Sequence, residues 1–569
     1  MSRIQLGAYC NTDDTFLVWK ADVLEGCIGF AIERIWLHSD EAGRVLNQPE
    51  FLVNRVGFAG DAAAGPNQRQ PSNVWPFQRY NWTDHELGFK DRAKYRVVPM
   101  VGTPGALSAR EEWASEWVQV DAVQPGKGRL SCFFNRPMAA SPWMARMVAE
   151  QGIHSSTELV ETISDVSSRS LRSFCGGTLI VGLRKLFDHA DGNPGVHLYA
   201  ALFELEDEEV VRRFCKLGAR AHIVLANGSA KESEPDANAV GRELVREAGC
   251  HVIDRMTSLP GQVGDLGHNK FIVVMHGDQP LRVWTGSTNL TPTGLFTQIN
   301  NAILVESGEL ASQYLAQWQR LADAQSAVPS SLKKTNAAPD AGTDSPATIE
   351  PWFTPTVKQG DLKRLQALVE GAQEGILFLS FMPGPNGPVL DVLEERIEGT
   401  YVRGVLNQFV GGAKGKLVAA LVGGSQADPM DLDVFKPSGI KQQFAFWAAE
   451  FMRGGKISVL VHSKVLCIDP FGAKPVVVTG SHNFSSMASE SNDENFLVIE
   501  GDAALAQAYA THIMSVYNHY RWRQYVASTL AADGEPWQKL ESKPSWQASR
   551  VNSARQQAEW RFWLKDETD

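Results

Sequence analysis

The chain has 569 residues, a formal net charge of −11, 43% hydrophobic and 21% charged residues. That length exceeds one ordinary domain, and the composition is that of a folded globular protein rather than a disordered or fibrous one. No apolar run reaches the ~20 residues of a membrane span, residues 1–6 lack the basic-then-apolar pattern of a cleaved signal, and the acidic balance gives no global signature of a nucleic-acid binder. The seven cysteines (10, 27, 132, 175, 215, 250, 467) form no CxxC pair, which argues against a disulfide framework and against a cysteine-built zinc site. The expectation is a cytoplasmic protein with reduced thiols, or one exported without a cleaved signal peptide.

Residues 1–125 alternate like strands. Ile28, Phe30 and Ile32 share one face, as do Tyr95, Val97 and Val101, and turn-forming stretches such as 60–71 and 102–105 separate the runs. This predicts an antiparallel sandwich. Residues 77–84 and 95–100 loosely resemble a fibronectin type III domain, a docking unit whose partner the sequence does not name. From about 170 a βαβ rhythm begins: strand 197–203, helix 207–217, strand 221–226. It recurs as strand 376–381, helix 389–397 and strand 402–406, so a sheet with parallel strands covered by helices is expected twice. The acidic run 204–209 reads as a helix entrance. Residues 325–349 are rich in Ala, Ser, Pro, Asp and Thr and read as a linker or mobile loop. The tail carries Trp522, Trp537, Trp546, Trp560 and Trp563, either an aromatic clamp onto the body or a surface for a membrane interface or for bases.

An internal repeat carries the chemistry. His268-x-Lys270, Gly286-Ser287-x-Asn289 and Asn301…Glu306 recur as His462-x-Lys464, Gly480-Ser481-x-Asn483 and Asn495…Glu500. The steps are 18, 15 and 5 residues in both copies, which start 194 residues apart. His and Lys two apart on a strand project from one face, and Gly-Ser-x-Asn after the next strand reads as a donor-rich turn. Two such sets face to face would put two imidazoles, two ammonium groups and two amides around one phosphate. Those groups supply a nucleophile, an opposing acid and fixed positive charge, so neither metal nor cofactor is required.

The duplicated motif resembles the phospholipase D superfamily over roughly residues 130–520. That resemblance implies an α/β fold of two pseudo-symmetric α/β/α repeats forming one catalytic unit, preceded by the all-β sandwich. The expected divisions are 1–125 sandwich, 126–324 first repeat, 325–350 linker, 351–520 second repeat and 521–569 Trp-rich extension. It also implies a phosphohistidine intermediate on one of His268 and His462, with the other as acid and base. Lys270, Lys464, Asn289 and Asn483 would bind phosphate, supported by Ser287 and Ser481. The family's Asp after the Lys is present as Asp469 but is Met275 in the first repeat. The carboxylate expected to accept the Nδ1 proton of its own repeat's histidine is Glu494 in the second repeat and Asn300 in the first. On that assignment Glu494 serves His462, which favours His462 as nucleophile, whereas family order favours His268. His276 and His482 read as peripheral. The substrate implied is a phosphodiester: a glycerophospholipid, with possible peripheral membrane contact, or alternatively DNA or RNA, with a non-catalytic binding module as a third reading.

Overall fold

The computed structural model describes residues 3–37, 48–61, 68–124, 129–136, 152–153, 156–229, 235–257, 266–336, 342–344, 347–381, 383, 387–396, 399–407, 434–435, 461–531 and 539–565. The chain divides into two compact units, Met1–Val123 with Tyr525–Asp569, and Gln124–Gln524.

In the first unit the alternating runs become two larger antiparallel sheets, beside the antiparallel pair Val53–Asn54 and Gln70–Pro71. Gln5–Cys10, Thr15–Lys20 and Asn81–Asp84 form one, in that order. Val118–Asp121, Arg92–Thr103, Cys27–Trp36 and Glu50–Phe51 form the other, with Ala106–Ala109 folding back on Arg92–Thr103. Cys27–Trp36 is buried on both faces along most of its length, so the Ile28, Phe30, Ile32 stripe is only half of its buried surface. The segment read as a C-terminal extension completes this unit. Trp560 meets Tyr80 edge-on at 5.1 Å and donates from Nε1 to the Trp19 carbonyl at 2.6 Å. Trp546 packs on Phe30 at 5.9 Å, and Trp563 on Phe16 at 4.6 Å. All three indoles are buried and supply core that the strands alone lack. Trp537 lies outside the described residues.

The second unit repeats one sheet plan twice. The first sheet runs Leu130–Phe134, Asn301–Val305, Gln279–Gly286, Lys270–His276, Val196–Leu202, Ala221–Ala226, His251–Arg255. The second runs Gly342–Asp344, Ala347–Phe353, Asn495–Glu500, Val476–Gly480, Val465–Ile468, Gly375–Ser380, Tyr401–Leu406, Val434–Phe435. In each, the inner βαβ strands are parallel and the His-x-Lys strand pairs antiparallel with both neighbours. Helix Glu208–Leu217 begins where acidic residues suit the positive end of a helix: Asp207 caps it by accepting from Val210 N at 3.3 Å. Asp207 also takes a bidentate pair of hydrogen bonds from the buried Arg172 at 3.0 Å each. The stretch 325–349 contains helix Ser330–Thr335, strand Gly342–Asp344 and the start of Ala347–Phe353, so a large part of the expected linker is regular structure. Its low apolar content suits an edge, where only one face is buried.

The two sheets meet along the residues that follow the motifs. Asn495 accepts at Oδ1 from Thr285 Oγ1 (2.6 Å) and Tyr314 Oη (3.1 Å) of the first repeat. Asn301 donates in turn to Thr479 Oγ1 (2.5 Å) and Tyr509 Oη (3.0 Å). These buried polar groups find partners across the two repeats, and they fix the register of one half on the other. Among the described residues no helix is long and apolar enough to cross a membrane.

Candidate active site

Strands Lys270–His276 and Val465–Ile468 begin at or just after the lysines, so each histidine sits in the extended lead-in rather than inside the strand. Each lysine curls back to donate from Nζ to the carbonyl of its own histidine, Lys270 to His268 at 2.9 Å and Lys464 to His462 at 2.6 Å. Gly286 and Gly480 are required by crowding. A Cβ on either would lie 2.3 Å from the Asn301 carbonyl oxygen or 2.2 Å from that of Asn495, because the turn presses onto the neighbouring strand. Ser287 and Ser481 then bind that strand, accepting at Oγ from Asn301 N (3.1 Å) and Asn495 N (3.0 Å).

The lead-ins cross between repeats. His462 N and Ser463 N donate to the Ile299 carbonyl at 2.9 and 3.0 Å, while Asp493 N donates to the Leu266 carbonyl at 2.8 Å. Ile299 and Asp493 are equivalent positions, 194 residues apart. This exchange reverses the expected pairing of histidines and acceptors. His268 Nδ1 lies 2.7 Å from Glu494 Oε2, and His462 Nδ1 lies 3.0 Å from Asn300 Oδ1 and 3.1 Å from the Ser287 carbonyl. Each imidazole is therefore oriented by the other repeat, and the carboxylate belongs to His268. Asn300 is locked in turn, its Nδ2 donating to the Gly294 carbonyl at 2.8 Å and its Oδ1 accepting from Ser287 Oγ at 2.7 Å. With every partner of Nδ1 an acceptor, both rings carry their proton there and leave Nε2 for chemistry.

His268 and His462 are each 5% exposed, Lys270 4% and Lys464 0%. Burial, only partly opposed by Glu494, pushes the His268 imidazole down to about 4. Burial and the charges of Lys464, Lys270 and His268 push His462 well below its ordinary value. Burial likewise lowers Lys270 to about 8 and Lys464 well below the usual lysine range. Burial would raise Glu494, but His268 and Lys270 outweigh it and hold the carboxylate ionised. Asn289 and Asn483 end the two Gly-Ser-x-Asn turns, each with a buried Oδ1 that has no hydrogen-bond partner among the described residues.

Asp469 is elsewhere. Its carboxylate accepts from Gln373 N (2.8 Å), Glu374 N (2.7 Å) and Gly375 N (2.9 Å), clamping the start of strand Gly375–Ser380. It stands past the end of the strand that His462 precedes, so it braces the fold. His276 is exposed. His482 is fully buried, with Nε2 3.0 Å from Asp361 Oδ2 and Nδ1 accepting from Phe484 N at 3.0 Å, and it pins the turn that carries Asn483. Two aromatics escaped the sequence reading. Phe203 lies 4.8 Å from the His268 ring and 5.0 Å from Lys270 Nζ. Phe381 lies 4.7 Å from His462 and 4.8 Å from Lys464 Nζ. Both close the recurring strands 197–203 and 376–381, and that recurrence was the available signal. A further residue that escaped it, Asn135, accepts at Oδ1 from Asn300 N at 2.8 Å.

The fold and site define a class: a pseudo-twofold α/β protein in which two His-x-Lys strands build one composite site. Residues 421–517 match the family model described as cardiolipin synthase, PLD-like domain. Over 60 residues the chain is 43% identical to a phospholipase D of Rickettsia bellii, a match covering 10% of this chain and 27% of that relative. Phosphatidylserine synthase of Haemophilus influenzae superposes with a TM-score of 0.39 at 13% identity, over 62% of this chain and 90% of that one. A phospholipase D family member from Salmonella typhimurium gives 0.22 at 18% identity, over 31% and 95%. The chain is thus similar to phospholipase D-type proteins over residues 421–517 and over the 60 residues it shares with the Rickettsia relative.

Proposed function

We propose that the chain is a metal-independent phosphodiesterase that hydrolyses or transphosphatidylates glycerophospholipids through a phosphohistidine on His268. The observation that carries this reading is the His268–Glu494 contact beside two buried lysines. Nε2 of neutral His268 attacks phosphorus while its Nδ1 proton rests against Glu494, so the positive charge that develops on the ring meets a carboxylate. The P–O bond to the leaving alcohol breaks, and the departing oxygen takes a proton from Nε2 of His462. The negative diester, held by Lys270, Lys464 and the Asn289 and Asn483 amides, favours the protonated form of His462 that burial and the lysine charges disfavour. Water or a second alcohol then gives its proton to His462 and attacks phosphorus. The P–N bond breaks and His268 recovers its lone pair.

The choice of lipid draws on the cardiolipin synthase-type family model and the Rickettsia relative. We further read the sandwich as fibronectin type III-like, on its two antiparallel sheets, and place no catalytic group on it. The test is release of head group from mixed glycerophospholipid vesicles, beside cleavage of single-stranded DNA, each with and without excess chelator. Lipid turnover that survives the chelator is expected. Turnover of DNA alone would favour the nuclease, and activity restored only by added metal would overturn the mechanism.

A further inference from the structure

We infer that Arg255 is a positioning residue for the His268–Glu494 pair, a buried fork that holds the carboxylate of one repeat against the imidazole of the other. The inference rests on the phosphodiesterase reading and adds to it a residue that acts through Glu494.

Arg255 ends strand His251–Arg255 of the first repeat, and both it and Asp493 of the second are buried. Its Nε donates to Asp493 Oδ2 at 2.7 Å and its Nη2 to Oδ1 at 3.1 Å, a planar fork on a carboxylate. The remaining arm, Nη1, donates to the Gln325 carbonyl and, at 2.5 Å, to that of Ala327, just past the end of helix Gly308–Ala324. One guanidinium thus ties a strand end and a helix end of the first repeat to the residue before Glu494. The backbone closes the same joint. Asp493 N donates to the Leu266 carbonyl at 2.8 Å, and Leu266 N donates to Asn492 Oδ1 at 3.0 Å. Gly267, between Leu266 and His268, lies on the stem of this arginine: a Cβ there would stand 3.2 Å from Arg255 Cγ. The Arg255 side chain therefore meets the lead-in of His268 on one side and the carrier of Glu494 on the other.

The contact between His268 Nδ1 and Glu494 Oε2 joins side chains of different repeats, so its 2.7 Å depends on how those two segments are held together. A buried ion pair returns little net stability, because desolvating the charges offsets their attraction, but its paired hydrogen bonds fix geometry. Misplacing a reacting group by about 1 Å costs on the order of 100-fold in rate. At the position equivalent to Asp493 the first repeat has Ile299, an uncharged residue bridged to Val461. The fork thus braces the histidine that rests on a carboxylate, and the His462 side is joined by backbone and apolar contact.

The test uses the full chain. R255M alone would strand the Asp493 carboxylate in the interior and put folding at risk, so R255M/D493L, which removes both charges together, is compared with R255K and wild type. On a nitrophenyl diester, R255M/D493L is expected to lose roughly 10–100-fold in kcat with KM little changed, and R255K to lose less. In an E494Q background the same pair of substitutions should cost no further kcat. Nitrogen NMR of labelled histidines at neutral pH, with His268 assigned through H268A, reads the joint without turnover. Wild type should hold the Nδ1–H tautomer, whereas R255M/D493L and E494Q should populate both tautomers. Wild-type kcat and tautomer in a folded R255M/D493L protein would overturn the assignment, as would a full further loss of kcat in the E494Q background. A tautomer that depends on Arg255 in a wild-type chain without any diesterase turnover would support the positioning role while overturning the phosphodiesterase reading.

Discussion

The two halves of the site share a backbone and differ in charge. His268 rests its Nδ1 proton on a carboxylate, and His462 rests its own on an amide and a main-chain carbonyl. Glycines, serines and lysines sit at matched positions and do matched work. The difference teaches that a duplicated fold supplies the geometry twice, while a single difference between equivalent positions (Glu494 against Asn300) gives the two imidazoles different acceptors, which on the proposed mechanism divides the labour. An imidazole that becomes cationic in an intermediate profits from a carboxylate, and one that must release a proton does not.

Removing each histidine tests that division first. His268→Ala is expected to lower kcat by about 10⁴-fold or more, because no covalent route remains. His462→Ala should cost about 10²–10⁴-fold, and less on a nitrophenyl diester whose leaving group needs little protonation. If the good leaving group rescues His268→Ala and leaves His462→Ala inert, the roles are reversed.

Next come the acceptors. Glu494→Gln should lower kcat by roughly 10²–10⁴-fold, the scale on which loss of a carboxylate partner disables a catalytic histidine, while Asn300→Ala should lose far less. Equal losses in steady-state assays would show that the carboxylate confers no asymmetry.

The pH profile sharpens the comparison. His268 must be neutral to attack, so kcat/KM should fall as pH drops through about 4. The same depressed value means that the unfolded chain binds more protons than the native one between about 6.5 and about 4. Stability from this group is therefore present above that window and lost as pH falls through it, which denaturant titrations across the range would register. Asn300→Asp places a negative charge beside His462 and raises its value. The alkaline limb of the profile should then move to higher pH, and a shift to lower pH would contradict the acid role.

The smallest effect on chemistry is expected at Asp469. Its three backbone hydrogen bonds clamp a strand start, so Asp469→Asn should cost about 1–3 kcal/mol in unfolding with kcat little changed. A large loss of kcat in a fully folded variant would return it to the site.

The duplication, and with it the matched His-x-Lys strands and Gly-Ser turns, was legible because spacing survives in sequence at three successive steps. The sheets behind them were legible from the βαβ rhythm. What stayed hidden has one physical origin: contacts made across the pseudo-twofold. Spacing within a repeat cannot reveal that the Leu266 lead-in pairs with Asp493 and the Val461 lead-in with Ile299, so Glu494 was assigned to the wrong histidine. Phe203 and Phe381 were hidden for a related reason, since a strand-ending phenylalanine looks like ordinary core until the lysine it covers is known. The tail tryptophans had two readings because burial depends on a partner surface, here strands near the opposite end of the chain.

The most direct test traps the intermediate. His462→Ala protein, given a nitrophenyl diester and quenched within one turnover, should carry a phosphoryl adduct that peptide mapping places on His268, with none in His268→Ala. An adduct on His462 in His268→Ala protein, with none on His268 in the other variant, would contradict the division of labour.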